Sequence, residues 1–129
     1  MSGPVFKAGS AEEFWTSEHC FIRELINLES IPDFSLANSR IEPGVVTELH
    51  SLSVREWYYI SQGRGLMEVG GGPQIEVGPG DTVEIPANVS QRITNTGSTD
   101  LLLQCVCVPR FTPDCYKSLE TSKADWQRS

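Results

Sequence analysis

Clusters of basic residues, a membrane-length apolar run, paired cysteines and sustained helical periodicity are all absent from this sequence. Ten lysines and arginines face seventeen aspartates and glutamates, leaving a formal charge of −7. Lys and Arg gather nowhere along the chain, so the footprint of a phosphate-backbone binder is missing. No nucleic-acid partner and no membrane partner are expected, and the acidic balance argues for solubility. The longest apolar stretch, Leu101 to Val108, is broken by Gln104 and is too short to span a bilayer. Met1 to Ser10 lacks the basic start and apolar stretch of a signal peptide, which gives the expectation of a cytoplasmic protein. The cysteines Cys20, Cys105, Cys107 and Cys115 form no C-x-x-C pair, which removes zinc-finger and thioredoxin readings. In a reducing cytosol they are expected as thiols, with Cys20 and Cys115 acting as small buried hydrophobes. No internal repeat points to a solenoid or propeller.

What is present is a succession of short strand signals. The length of 129 residues fits one domain, and a domain of that size buries about two-thirds of its unfolded surface. The whole of 1–129 is read as that domain, with a barrel over about 20–112 and a loose polar tail over 120–129. Ser10-Ala-Glu-Glu13 has capping-box spacing and predicts a short helical turn through Phe14 and Trp15. Strands are predicted over Cys20 to Leu28, Ser35 to Glu42, Val45 to Leu49, Trp57 to Ile60, Leu66 to Val69, Gln74 to Val77, Thr82 to Ile85, Gln91 to Asn95 and Leu101 to Val108. Thr112-Pro113 suits the start of a short C-terminal helix. About eight or nine strands with Gly, Pro and Asn between them call for an all-β sandwich or barrel.

Strand alternation then groups candidate residues. If Glu56 faces inward, so do Tyr58 and Ile60, while Trp57 and Tyr59 face out. Gln91, Ile93 and Asn95 share one face. With Gln104 outside, Leu103, Cys105 and Cys107 lie inside. Glu48 has the parity of His50 and is expected near the barrel mouth.

Two spaced patterns carry the chemistry. Gly44 is followed by five residues and His50; Leu52 comes next at His-x-His spacing, Glu56 follows, and Gly63 closes the pattern. The second pattern is Pro79-Gly80-Asp81, Ile85-Pro86, Gln91 and Asn95. In this order and spacing they resemble the two motifs of the cupin superfamily. That resemblance implies a double-stranded β-helix, the jelly-roll cupin barrel, here with short terminal helical turns. Closer still, Gln91-Arg92-Ile93-Thr94-Asn95 and Val106 to Pro113 resemble a group of single-domain bacterial cupins described as similar to mannose-6-phosphate isomerase. That description rests on fold analogy and implies little about substrate.

The resemblance implies a site. Many cupins bind one divalent ion through two first-motif His, the Glu and a second-motif His. Here His50 and Glu56 are retained, Leu52 cannot ligate, and Gln91 offers an amide oxygen. Cys107 is either a core filler or a thiolate replacing a lost imidazole. The metal implied is Zn, Fe, Ni or Mn, with a carboxamide tilting the set toward harder ions. Tyr58 is either a barrel-filling aromatic or a proton donor completing an acid–base pair with His50. Arg110 is either a surface charge or, at the mouth, a substrate contact that would clamp a carboxylate or phosphate; Glu48 is a second candidate substrate contact.

Three functions follow as expectations. The first is a divalent-metal-dependent enzyme, isomerase or dioxygenase in type, acting on a small polar or anionic metabolite in the lumen. The second is a metal-free enzyme using His50 and Tyr58. The third is a non-catalytic small-molecule binding module. Outward-facing Trp57 and Tyr59 add the expectation of a homodimer.

Overall fold

β-branched and aromatic runs, each too short for a helix and each closed by Gly, Pro or Asn, dictate the architecture. The computed structural model describes residues 4–120. Eleven strands arise among them: β1 (Phe14–Thr16), β2 (Cys20–Ile26), β3 (Ser35–Ile41), β4 (His50–Leu52), β5 (Arg55–Gln62), β6 (Gly65–Val69), β7 (Ile75–Val77), β8 (Thr82–Ile85), β9 (Gln91–Asn95), β10 (Leu101–Val108) and β11 (Tyr116–Ser118). One antiparallel sheet runs β1-β2-β3-β10-β5-β8, and the second runs β11-β4-β9-β6-β7. The two face each other as the expected jelly roll.

Alternation puts the predicted side chains inside. Glu56, Tyr58 and Ile60 are buried on β5, while Arg55 and Tyr59 are exposed. Gln91, Ile93 and Asn95 are buried on β9. Ile41, Ile60, Ile85, Ile93, Leu101 and Leu103 form the centre of the main core. A smaller cluster joins Leu52, Val54, Cys107 and Cys115 with Phe111 and Tyr116. Cys20 and Cys115 are buried thiols, as expected. Two polar residues of the second motif fix loops: Asp81 accepts the Gly78 N–H at 2.8 Å, and Asn95 Nδ2 donates to the Ile41 and Thr99 carbonyls. Gly63 closes the first motif because its φ is 90° and a Cβ there would lie 2.8 Å from the Asp100 carbonyl oxygen.

Several expectations are corrected. No helical turn runs through Phe14 and Trp15. The helical residues are Ala8–Ser10, a 3-10 turn, and Phe14 already belongs to β1. The predicted C-terminal helix is a 3-10 turn, Pro113–Cys115, followed by β11. Paired strands therefore extend beyond 20–112 at both ends. Val45 to Leu49 makes only an isolated bridge, Val46 to Thr94, because the Ile93 N–H donates to the Thr47 hydroxyl instead of a backbone carbonyl. Beyond Glu120, which accepts the Leu49 N–H at 3.3 Å, the expected tail lies outside the described residues. No helix among the described residues is long and apolar enough to cross a membrane.

Candidate active site

A cavity of about 430 Å³ lies between the sheets, in the size range of small-molecule sites. Of the expected site residues, His50, Glu56, Tyr58, Cys107 and Arg110 line it; Gln91 and Glu48 do not. Glu18, from the β1–β2 turn, also lines the cavity, although neither motif contains it.

Strand register explains the grouping. His50 on β4 pairs directly with Gln91 on β9. In the other sheet Glu56 on β5 pairs with Cys107 on β10, and Tyr58 pairs with Cys105. Gln91 joins the sheets: its Nε2 donates to Glu56 Oε1 at 2.8 Å, and its Oε1 accepts the Tyr58 hydroxyl proton. The Cys107 thiol donates to Glu56 Oε2 at 3.8 Å.

His50 is oriented separately. Its Nδ1 lies 2.7 Å from the Glu48 carbonyl oxygen. A carbonyl only accepts, so Nδ1 carries the proton and the neutral ring presents its lone pair at Nε2. The Tyr116 ring stacks on the imidazole, with centroids 4.8 Å apart and planes 17° apart. The Tyr116 hydroxyl donates to the Glu48 carboxylate. Glu18 Oε1 stands 3.7 Å from His50 Nε2.

Burial sets the proton affinities. It lowers the pKa of His50, against the pull of the Glu48 carbonyl and carboxylate. Burial raises Glu56 to about 7, reinforced by the Glu18 charge and opposed by the hydrogen bond from Gln91. Glu18 rises to about 7 through burial and then the Glu48 charge. Burial pushes the Tyr58 hydroxyl and the Cys107 thiol up, so both stay protonated at neutral pH. The cavity thus combines an imidazole base with carboxyl groups that titrate near neutrality, a combination suited to proton transfer.

The expected metal donors do not assemble. Leu52 fills the second His position. Both ends of the Gln91 amide are engaged by protein, and Gln91 does not reach the cavity. Cys107 is a protonated donor to Glu56 rather than a free thiolate. Among the described residues, no three His, Cys, Asp or Glu side chains come together as a set that would hold an ion. As arranged, the four expected ligands, His50, Glu56, Gln91 and Cys107, are held by hydrogen bonds to one another or to backbone and form no ready-made set for an ion.

Arg110 lines the cavity with its Nε donating to Asn27 Oδ1 at 2.8 Å. Glu48 is buried and held by Tyr116, so it supports His50 rather than lining the cavity. Sequence reasoning missed Glu18 and Tyr116. Glu18 comes from the β1–β2 turn and Tyr116 from β11, both outside the motifs, and no spacing rule links either to His50.

Comparison with known proteins agrees with the fold. The family model for the cupin domain, Cupin_2, matches residues 38–108. The uncharacterized protein MJ1618 of Methanocaldococcus jannaschii is 34% identical over 108 residues, spanning 81% of this chain and 86% of that protein. The polyketide cyclase RemF from Streptomyces resistomycificus superposes with a TM-score of 0.80 at 18% identity, covering 100% of this chain and 94% of that one. A Streptomyces PAC13 variant with uridine gives 0.76 at 13% identity, covering 93% of each chain. A predicted oxalate decarboxylase from Thermotoga maritima gives 0.71 at 23% identity, covering 82% of this chain and 99% of that one. At such identities the likeness is one of fold.

Proposed function

The chain belongs to the cupin domain family, and on that premise we propose that it is an enzyme that moves protons on a small molecule held in the barrel, without a bound metal. The observation that carries this reading is the pairing of one oriented imidazole, His50, with a carboxyl, Glu56, on opposite sheets of a single cavity. Structural neighbours that are a polyketide cyclase and a nucleoside dehydratase give the reading a second support.

His50 Nε2 takes a proton from a carbon next to a carbonyl. The C–H electron pair moves toward the carbonyl oxygen, which takes the Glu56 carboxyl proton, giving an enol. In an α-hydroxy carbonyl compound, return of the His50 proton to the former carbonyl carbon, with the α-hydroxyl giving its proton to Glu56 as it becomes the new carbonyl, isomerises the molecule. In a β-hydroxy carbonyl compound, the enol returns its proton to Glu56 as the carbonyl re-forms and the β-hydroxyl leaves as water with the proton held on His50 Nε2. Gln91 and Tyr58 hold the Glu56 carboxyl in place through their hydrogen bonds, so Tyr58 is a positioning residue here. Arg110 contacts the ligand from its place on the cavity wall.

The test is deuterium exchange from heavy water into cyclic ketones and β-hydroxy ketones small enough for the cavity, followed by NMR. Exchange is expected to fall about 100-fold in His50→Asn and in Glu56→Gln, and to survive a strong chelator. Exchange abolished by the chelator and restored by Zn, Fe, Ni or Mn would overturn the metal-free reading in favour of a metal-dependent one. Binding of the panel without any exchange would identify a non-catalytic module.

A further inference from the structure

The β1–β2 hairpin lies outside both motifs, yet it brings a carboxyl against the reactive nitrogen of His50. Thr16 pairs with Cys20 at its base. The Glu18 N–H donates to Thr16 Oγ1 at 3.3 Å, and the His19 N–H to the Thr16 carbonyl at 3.1 Å. The Glu48 N–H donates to the Glu18 carbonyl at 3.0 Å, tying the turn to the segment before His50. His19 sits at φ 71°, a conformation that a residue with a side chain keeps where its surroundings impose it.

The outcome is a gap of defined width. Glu18 Oε1 and His50 Nε2 are 3.7 Å apart, too far for a hydrogen bond. The His50 side chain is only 5% exposed, its Nδ1 is committed to the Glu48 carbonyl, and Nε2 makes no hydrogen bond among the described residues. Two atoms at this separation can each stand about 2.8 Å from one third atom. A single ligand heteroatom would therefore satisfy both.

We propose that Glu18 and His50 together grip one heteroatom of the ligand, and that it belongs to a hydroxyl or an amine rather than to a carboxylate or phosphate. This rests on the reading of the cavity as the ligand site. When the pair holds one proton, one member donates and the other accepts, which matches a hydroxyl. When Glu18 is ionised and His50 neutral, both accept, which matches an ammonium group. An anionic oxygen only accepts. It would also enter a cavity lined by Glu18, Glu24 and Glu56, with Glu48 buried behind His50, while the lining offers one Arg, Arg110, and no Lys. The thiols and hydroxyls facing Glu18, namely Cys20, Cys105, Tyr58 and Tyr116, are kept neutral by burial and supply no compensating charge.

Benzyl alcohol, benzylamine and benzoate test this, since they share one ring and differ in the group they present. Each is titrated into the protein at pH 8 while the imidazole nitrogen NMR signals of His50 are followed. The other histidine, His19, is assigned with His19→Gln. The alcohol and the amine are expected to shift the Nε2 signal and to bind about ten-fold more tightly than benzoate. Glu18→Gln should bring benzoate to within about two-fold of the alcohol. Glu18→Asp keeps the charge but withdraws the carboxylate by one methylene. It should still reject benzoate and lose the Nε2 shift with the alcohol. Benzoate binding as tightly as the alcohol, or a ranking that Glu18→Gln leaves intact, overturns the inference alone. If none of the three probes moves the His50 signals, the inference and the reading of the cavity as a ligand site fall together.

Discussion

Gln91 Nε2 donates to Glu56 Oε1 at 2.8 Å across the barrel, so one amide of the second motif ties a sheet to the acidic residue of the first motif. The amide's other end takes the Tyr58 proton. Gln91 is therefore a spacer between two buried polar groups, fully shielded from solvent, and not an open ligand position.

Gln91→His tests that assignment. An imidazole binds zinc better than an amide, and it would complete a common donor set if the position faced a metal-competent site. With Leu52 at the second His position and the Glu56 carboxyl held by neighbours, we expect calorimetric titration with zinc to show no stoichiometric binding. Chemical denaturation should show a loss of roughly 1–3 kcal/mol, because the Tyr58 hydroxyl and Glu56 lose their shared partner. Tight one-to-one zinc binding by the variant would refute the spacer role.

The motifs foretold the barrel and the inward set because both depend on local rules. Alternation placed Glu56 with Tyr58 and Gln91 with Asn95, and the paired glycines Gly44 and Gly63 mark positive-φ turns. Val45 to Leu49 misled because its β-branched composition is strand-like, while the Thr47 hydroxyl replaces a backbone acceptor in the ladder. Phe14 and Trp15 misled because no capping box forms: Ser10 ends a 3-10 turn with its hydroxyl donating back to the Lys7 carbonyl, and the Glu13 carboxylate is taken by Arg40. Glu18 and Tyr116 reach His50 only through pairings made by the terminal strands. Such contacts are long in sequence and carry no periodic signal. Gln91 shows the same limit: it has the right parity and spacing, but its hydrogen-bond partners, Glu56 and Tyr58, were not deducible from either.

The outer face of the larger sheet carries the oligomer prediction. Tyr59 is 46% exposed and Val108 40% exposed, and both point away from the cavity on the adjacent strands β5 and β10. Trp57 lies between them, with the Arg55 guanidinium 5.0 Å from its ring centroid and that Arg paired with Glu84 at 2.9 Å. Pairing of two copies through this strip should give a light-scattering mass of twice 14.3 kDa at micromolar concentration. Tyr59→Lys should return the mass to 14.3 kDa with an unchanged circular dichroism spectrum. A wild-type protein that already scatters as a single chain would end the dimer proposal.

Tyr116 serves His50 in two separable ways. Its hydroxyl satisfies the buried Glu48 carboxylate, and its ring covers the imidazole. Tyr116→Phe removes the first alone and should cost roughly 1–3 kcal/mol in denaturant unfolding, with the His50 titration little changed. Tyr116→Ala removes both. It should raise the depressed pKa of His50 toward its ordinary 6.5, since burial is the main cause of the depression. An NMR titration of the imidazole signals reads this directly. An unchanged His50 midpoint in the alanine variant would show that the stack does not control its solvation.

Glu56 should leave a signature in the pH dependence of stability. Its pKa is raised by burial from 4.5 to about 7 in the folded protein. Between those values the folded state keeps a proton that the unfolded chain has released, so stability falls as pH rises. The contribution is fully present below about pH 4.5 and is gone once pH has passed through 7. Glu18 is raised to about 7 and acts in the same sense. His50 acts in the opposite sense: its lowered pKa gives stability present above 6.5 and lost as pH falls through the folded value. Raw curves mix these effects, so the informative quantity is wild type minus Glu56→Gln, in which the Glu18 and His50 contributions largely cancel. Glutamine keeps the shape and the acceptor oxygen for Gln91 but cannot ionise. Relative to wild type the variant should gain up to about 3 kcal/mol between pH 4.5 and pH 8. Urea unfolding at intervals across that range measures it. Parallel curves would mean that Glu56 titrates alike in the folded and unfolded chains, and would remove it as the carboxyl that exchanges a proton with the ligand near neutral pH.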